Sequence, residues 1–159
     1  MAKKGIVGKG TEFWALHGTV PTLTKLLCIK TFDWGDENYD EYDSGCLDDP
    51  DVDQSEFILG KPGDGSVAID TDPKNATHLL VLDLAQKLEN FVLYAGYSDG
   101  VGVPTLTGNV VDLPDTRSWS YAEVKLRKGK PVIEAKSMVN HSLPLRRQSA
   151  ITDEWMVPA

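Results

Sequence analysis

Alternation of apolar and polar side chains predicts most of the elements in this chain of 159 residues. Residues 11–17 read as a strand, with Phe13 and Ala15 facing one way and Trp14 and Leu16 the other. A turn over residues 18–24, containing Pro21, leads to a second strand over 26–32, Leu27 and Ile29 opposite Cys28 and Lys30. Two short strands, 55–59 and 66–70, flank Gly60-Lys61-Pro62-Gly63-Asp64-Gly65, a turn signal that pairs them as a hairpin. A spacing of four then replaces the alternation: Leu80, Leu84 and Leu88 recur beside Ala76 and Leu79. With Asp72 as N-cap and Pro73 in the first helical position, this predicts a helix over about 73–88 lying on a sheet. His78 falls off the apolar stripe and reads as a solvated or capping residue. Residues 91–97 are apolar on both faces, which marks a strand covered on both sides, and 105–112 is strand-like up to Leu113-Pro114-Asp115. The cleanest alternation is 119–127, with Ala122, Val124 and Leu126 opposite Tyr121, Glu123, Lys125 and Arg127. Lys128-Gly129-Lys130-Pro131 turns the chain, and 132–139 returns with Ile133, Ala135 and Val139 inward.

About eight strands and one helix predict a mainly β (α+β) fold, an antiparallel β-sandwich or half-barrel with the helix on one flank. The length fits a single domain over 1–159, in which residues 1–10 form a flexible, Gly- and Lys-rich N-terminal arm and 144–159, with no clear period, a C-terminal arm.

Charge changes this picture in one place. Residues 33–56 hold 11 of the 24 acidic residues and no Lys or Arg, so the rest of the chain has 13 acids against 16 bases and the net charge of -8 is local. So repulsive a segment, broken by Gly35, Gly45 and Pro50, predicts a long exposed loop rather than core, and long loops in compact domains usually meet a partner. No apolar run reaches the roughly 20 residues of a membrane span and no signal peptide is apparent, so the chain reads as soluble and folded in a cytosol, with Cys28 and Cys46 as free thiols. The overall negative charge argues against a general nucleic-acid binder.

Catalytic constellations are weak. His17, His78 and His141 lie far apart, and no nucleophile elbow, zinc-protease helix or Cys-x-x-Cys is present. Gly5 to Thr11 lacks the Lys before Thr that a phosphate loop needs. Asp49-Pro50-Asp51-Val52-Asp53 has the spacing that opens a calcium loop, but position six is Gln54 and position twelve Gly60. The acidic segment therefore admits three readings: a solvated loop, a calcium or acidic-loop binding module, or a contact surface. Tyr39 and Tyr42 favour contact, since aromatics are enriched at interfaces and the acids around them can meet bases such as Arg127, Lys128 and Lys130 on another copy. No cofactor, metal or catalytic residue is assigned.

Thr11-Glu12-Phe13-Trp14-Ala15-Leu16, then Ile29-Lys30-Thr31-Phe32, then the run from Asn38-Tyr39-Asp40-Glu41-Tyr42-Asp43 through Leu47-Asp48-Asp49-Pro50-Asp51-Val52-Asp53 resembles the major tail tube protein of long, non-contractile tailed phages of the lambda type. The motif match covers roughly the first 60 residues; beyond it, only the element order agrees. The resemblance implies a non-enzymatic virion protein: a β-sandwich flanked by a helix, six copies in a ring, rings stacked into a hollow tube. It also implies a tape-measure protein inside, a tail terminator and distal tail or tip proteins at the ends, double-stranded DNA passing without specific binding, and assembly in the host cytoplasm. In that family the loop after the second strand reaches the adjacent ring, which here would enlist Asp36, Glu37, Tyr39, Asp40, Glu41, Tyr42, Asp43, Asp48, Asp49, Asp51 and Asp53. The immunoglobulin-like C-terminal domain of the lambda member has no room here, so the chain reads as a minimal tube subunit. Contractile tails and type VI secretion tubes use similar subunits and stay open as an alternative.

A conduit suits these charges. Duplex DNA carries one charge per roughly 1.7 Å and a basic lining would hold it. An acidic or mixed lining leaves it mobile, with repulsion acting over about 8 Å at physiological salt. The alternating faces of 119–127 and 132–138 are the candidate lumen strands, exposing Glu123, Lys125, Glu134 and Lys136.

Overall fold

The computed structural model describes residues 5–43, 45–48, 55–59 and 62–156. The chain order is β1 (Glu12–His17), β2 (Thr22–Leu26), β3 (Ile29–Asp33), β4 (Tyr39–Asp43), β5 (Ser55–Leu59), β6 (Gly65–Asp70), α1 (Ala76–Lys87), β7 (Asn90–Gly96), β8 (Thr105–Thr107), β9 (Val110–Asp112), β10 (Trp119–Leu126), β11 (Pro131–Val132), β12 (Asn140–Arg147) and β13 (Thr152–Glu154). A nine-stranded antiparallel sheet runs β2-β1-β7-β10-β12-β6-β3, with β11 on β12 and β13 on β10; β4–β5 and β8–β9 are separate two-stranded ribbons.

Connectivity shows how far the sheet rolls. β2 and β3 are its opposite edges, yet only Leu27 and Cys28 join them. Such a link spans at most about 11 Å, so the edges curl toward one another without pairing, a half-barrel rather than a barrel. Cys28 turns the link with φ 57, a left-handed conformation uncommon outside glycine. Helix α1 seals the seam. His78, 2% exposed, accepts the Asp72 N–H at Nδ1 (3.2 Å), which leaves Nε2–H to donate to the Leu27 carbonyl at 2.9 Å. Thr77 Oγ1 accepts the Leu27 N–H at 3.1 Å.

Inside the roll, Ala15, Val67, Ile69, Phe91, Leu93, Ala122, Val124, Leu126, Leu143 and Leu145 pack against Val81, Leu84 and Ala85 of the helix. The opposite face of β1, β7 and β10 carries a smaller cluster, Trp14, Tyr94 and Trp119, covered by Val111 of β9 and by Leu113. Arg117 lies over the Trp14 and Trp119 rings, 5.9 and 5.4 Å from their centroids, where only Gly96 leaves space for it. It donates to the Gly96 and Tyr97 carbonyls and to Glu12 Oε1 at 3.1 Å. The Glu12 carboxyl is held below the ordinary carboxylate range, by its Lys25 hydrogen bond first and by Arg117 as well. Burial pushes the Asp99 carboxyl up, but hydrogen bonds from Ser118 outweigh it and the net shift is down.

Several expectations need correction. Residues 55–59 do not pair with 66–70: β5 joins β4, so part of the acidic segment, 39–43 and 55–56, lies in a two-stranded ribbon, while β6 lies between β3 and β12. The glycines there serve close approach, since a Cβ on Gly65 would collide with the Asp33 carbonyl. The strand expected over 26–32 is broken at Leu27-Cys28, and the expected turn contains β2 from Thr22 onward. The helix N-cap is Asn75, whose Oδ1 accepts the Thr77 N–H at 3.0 Å; Asp72 instead accepts the Lys74 N–H in the preceding turn. His78 is buried rather than solvated. Residues 105–112 form a ribbon turned at Gly108. The partner of β10 is β12, not 132–139, where Ile133 is 75% exposed. Residues 144–147 are thus central sheet rather than arm, and β13 pairs with the start of β10. Residues 1–4 and 157–159 of the expected arms lie outside the described residues.

Candidate assembly surface

Strand β3 carries the chain from the seam at Cys28 to Asp33, where the acidic segment begins. Gly35, at φ 85, turns it out of the ladder; its N–H is held by Asp33 Oδ1 at 2.9 Å. Asp36 O then receives the Gly63 N–H at 2.7 Å, which joins the outgoing and returning chains into a foot. One side chain locks it. Arg147, fully buried at the end of β12, donates to the Trp34 carbonyl (3.1 Å), the Asp36 carbonyl (3.1 Å) and Glu37 Oε1 (2.5 Å). A buried guanidinium persists only when its donors are met like this. Its neighbour Arg146 points outward to Asp64 at 3.0 Å, with both side chains about half exposed.

Beyond the foot, β4 and β5 pair from Tyr39↔Leu59 to Asp43↔Ser55. Tyr39, Asp40, Glu41 and Tyr42 are all exposed, and since successive strand residues face opposite ways, both faces of β4 are open over these four residues. Gly45, Cys46, Leu47 and Asp48 follow at its far end, also exposed. Asp36 and Glu37 are therefore foot residues, Glu37 committed to Arg147, whereas Tyr39 to Asp43 form the projecting strand and Asp48 follows it. Asp49, Asp51 and Asp53, with the proposed calcium loop, lie outside the described residues. Among the described residues no group of three or more His, Cys, Asp or Glu side chains is placed to hold a metal, and no helix is long and apolar enough to cross a membrane.

Register places Lys130 at the other end of the sheet, next to Pro131 opposite His141, while Arg127, whose N–H meets the Pro144 carbonyl, is level with the foot. Leu145 sits opposite both Gly65 and Leu126, Arg147 opposite Val124, and Asn140 opposite Asp70 and Val132. The ribbon foot is therefore at the Arg147 end of β12. The connection carrying exposed Arg127, Lys128 and Lys130 runs alongside β12 toward Asn140, the opposite end. Lys30 and Lys136 edge a hollow there. Of the expected lumen residues, Glu123 is exposed and Lys125 half-buried on the outer face of β10. Glu134 and Lys136 are exposed in the connection between β11 and β12 and belong to no strand, because the alternation over 132–139 buries nothing.

Sequence reasoning missed Arg117, Arg147 and His78. The first two carried a signal: Arg117 shares strand parity with Trp119, and Arg147 with Leu143 and Leu145, so each continues a buried face as its polar member.

Residues 4–157 match the model of the lambda-like phage tail tube family. Structural protein 3 of Pseudomonas phage PAJU2 is 26% identical over 131 residues, 77% of this chain and 78% of that protein. Among solved structures, the SPP1 tail tube determined by solid-state NMR and cryo-EM is similar with a TM-score of 0.61 at 12% identity, over 97% of this chain and 81% of that one. A chain of the six-fold symmetrised anti-feeding prophage baseplate is similar with a TM-score of 0.59 at 10% identity, over 98% and 99%. At such identities these two show a shared fold, while the family match spans nearly all of the sequence. With a rolled sheet, a sealing helix and a projecting acidic ribbon, this chain belongs to the lambda-like phage tail tube proteins, structural proteins of the virion tail.

Proposed function

We propose that this protein closes into hexameric rings that stack into the hollow tail tube through which the phage genome is delivered. The observation that carries the reading is the separation of charge along the sheet. An acidic ribbon projects at one end, and Lys130, Lys136 and Lys30 are exposed toward the other. One copy cannot satisfy itself across that distance; a second copy placed head to tail can. Such a heterologous contact repeats without closing and generates a filament. The ribbon adds a second reason. Two strands alone are marginal in water, so the β4–β5 ribbon, anchored at its foot by Arg147, gains when another copy packs on it.

Assembly takes place in the host cytoplasm around a tape-measure protein, with a terminator at one end and distal tail proteins at the other. The lumen face offers Glu123 and Lys125, opposite charges that cancel locally, so passing DNA meets no continuous basic track. Replacing Asp48, Asp49, Asp51 and Asp53 together with Asn tests the reading. The variant should stay a folded monomer by circular dichroism and size exclusion and fail to polymerise; tubes as abundant as those of the parent chain would reject the ribbon's role.

A further inference from the structure

From Leu88 to Thr116 the chain carries acids and no base, and between Asp99 and Asp112 it carries no ionisable side chain at all. That uncharged stretch is exposed but firmly held. Arg117 donates to the Gly102 carbonyl at 3.2 Å, Thr116 Oγ1 donates to the Val101 carbonyl, and Val111 of β9 packs toward Trp14, Tyr94 and Trp119. What it turns to solvent is apolar. Val101 is 81% exposed, Val103 65% and Val110 70%, with Val110 opposite Thr107 across the β8–β9 ribbon. Asp112 and Asp115 stand exposed at its border. Exposed apolar groups with a polar rim mark an interaction site, and an anchored one loses little freedom on binding.

The turn between β11 and β12 has the complementary chemistry. From Val124 to Ile151 the only acid is Glu134. Ile133 and Met138 are 75% and 72% exposed there, in a turn shaped by the Ser137 N–H on the Glu134 carbonyl and tied down by the Thr71 N–H on the Val139 carbonyl at 2.8 Å. Lys130 and Lys136 flank them, and neither has an ion pair among the described residues, whereas Lys30 beside them is neutralised by Asp70 at 3.0 Å. Acids therefore rim one apolar surface and bases the other. One copy cannot join the two. From the Leu126↔Leu145 pair, β10 leads back to Trp119 under the valines, while β12 leads the opposite way to Asn140 at the turn. At about 3.3 Å per residue the surfaces lie roughly 40 Å apart along the strands.

Resting on the head-to-tail reading above, we infer that the occupant of the valine surface is the β11–β12 turn of a second copy, displaced along the strand direction. Ile133 and Met138 cover Val101, Val103 and Val110, and Lys130 and Lys136 meet Asp112 and Asp115. Two valine surfaces do not pair with one another instead, because their carboxylates would then face each other. Since the turn and the valine surface are different patches, the contact is heterologous and each copy offers one of each.

The experiment polymerises an equal mixture of Val103→Cys and Ser137→Cys chains, treats it with a short bis-maleimide and reads the linked peptides by mass spectrometry. A link between positions 103 and 137 is expected, and in this mixture it forms only between copies. In parallel, Ile133→Asp should raise the protein concentration needed for polymerisation about tenfold or more without moving the monomer's melting temperature. Adding Val103→Lys to the same chain should bring that concentration back to within about threefold of the parent's, because the new charges face each other across the joint. Tubes without the 103–137 link, or with 103 linked to 103, overturn the joint and leave the tube reading standing; so do tubes that tolerate Ile133→Asp. Failure of the parent chain to polymerise, seeded or unseeded, overturns both.

Discussion

Adjacent arginines at the end of β12 give the sharpest stability prediction. Arg147→Ala removes a guanidinium with no exposed surface and leaves the Trp34 and Asp36 carbonyls and the Glu37 carboxylate without their donor. Breaking a buried pair of this kind costs about 3–5 kcal/mol, and the partial exposure of Glu37 favours the lower figure, about 3 kcal/mol. For a domain of this length each kcal/mol moves the melting midpoint by about 2–4 °C, so the variant should melt about 6–12 °C below the parent. Arg146→Ala is the control. Its ion pair with Asp64 is half exposed on both sides and contributes at most about 1 kcal/mol, a shift of no more than about 4 °C. Calorimetry of the monomers reads both, and hydrogen exchange at residues 55–59 reports whether the ribbon loosens when its foot is unlocked. Equal melting of the two variants, or unchanged exchange in Arg147→Ala, would refute the assignment of Arg147 as the lock.

Other substitutions probe the seam and the outer cluster. His78→Ala should lose about 2–3 kcal/mol in urea unfolding, because the Leu27 carbonyl and the Asp72 N–H lose a buried partner together. Gly96→Ala should destabilise the fold by more than an ordinary strand substitution, since its Cβ would meet the Trp119 ring at 2.9 Å and the Arg117 guanidinium at 3.0 Å; unfolding midpoints of Gly96→Ala against Ala95→Gly make the comparison. Acid titration should show the depressed carboxyls of Glu12 and Asp99: the stability they supply is complete above the unfolded carboxylate range, near pH 4, and is lost as pH falls through their lower folded values. Glu12→Gln should flatten that part of the curve.

How much of this was legible in the sequence depends on whether a local pattern had a non-local rival. Strands β1, β7 and β10 read correctly because alternation and tertiary burial agree: Ala15, Leu93, Ala122 and Val124 face the core their spacing assigns them. Strand β12 was hidden. Leu143, Leu145 and Arg147 alternate inward, but Pro144 looks like a strand breaker and Arg147 like surface. Pro144 is tolerated because the β10–β12 ladder ends at the Leu126↔Leu145 pair just before it, so no ladder donor is required of it, while its carbonyl still accepts the Arg127 N–H at 2.9 Å. The false hairpin at 60–65 failed for the converse reason: a strong turn signal lost to β6's two long ladders with β3 and β12. Position of the acidic segment was visible from charge alone, but its ribbon was not, since Tyr39-Asp40-Glu41-Tyr42 buries neither face and so shows no period.

The central claim, that a subunit with an acidic ribbon at one end and bases at the other is built to polymerise, is tested most directly by electron microscopy of the purified chain. Concentrated without added metal, and if still monomeric seeded with tail-tip complex, it should form hollow tubes whose end-on views show six-fold rings. A chain that stays monomeric after seeding, or that forms solid or closed particles without a lumen, would contradict the account.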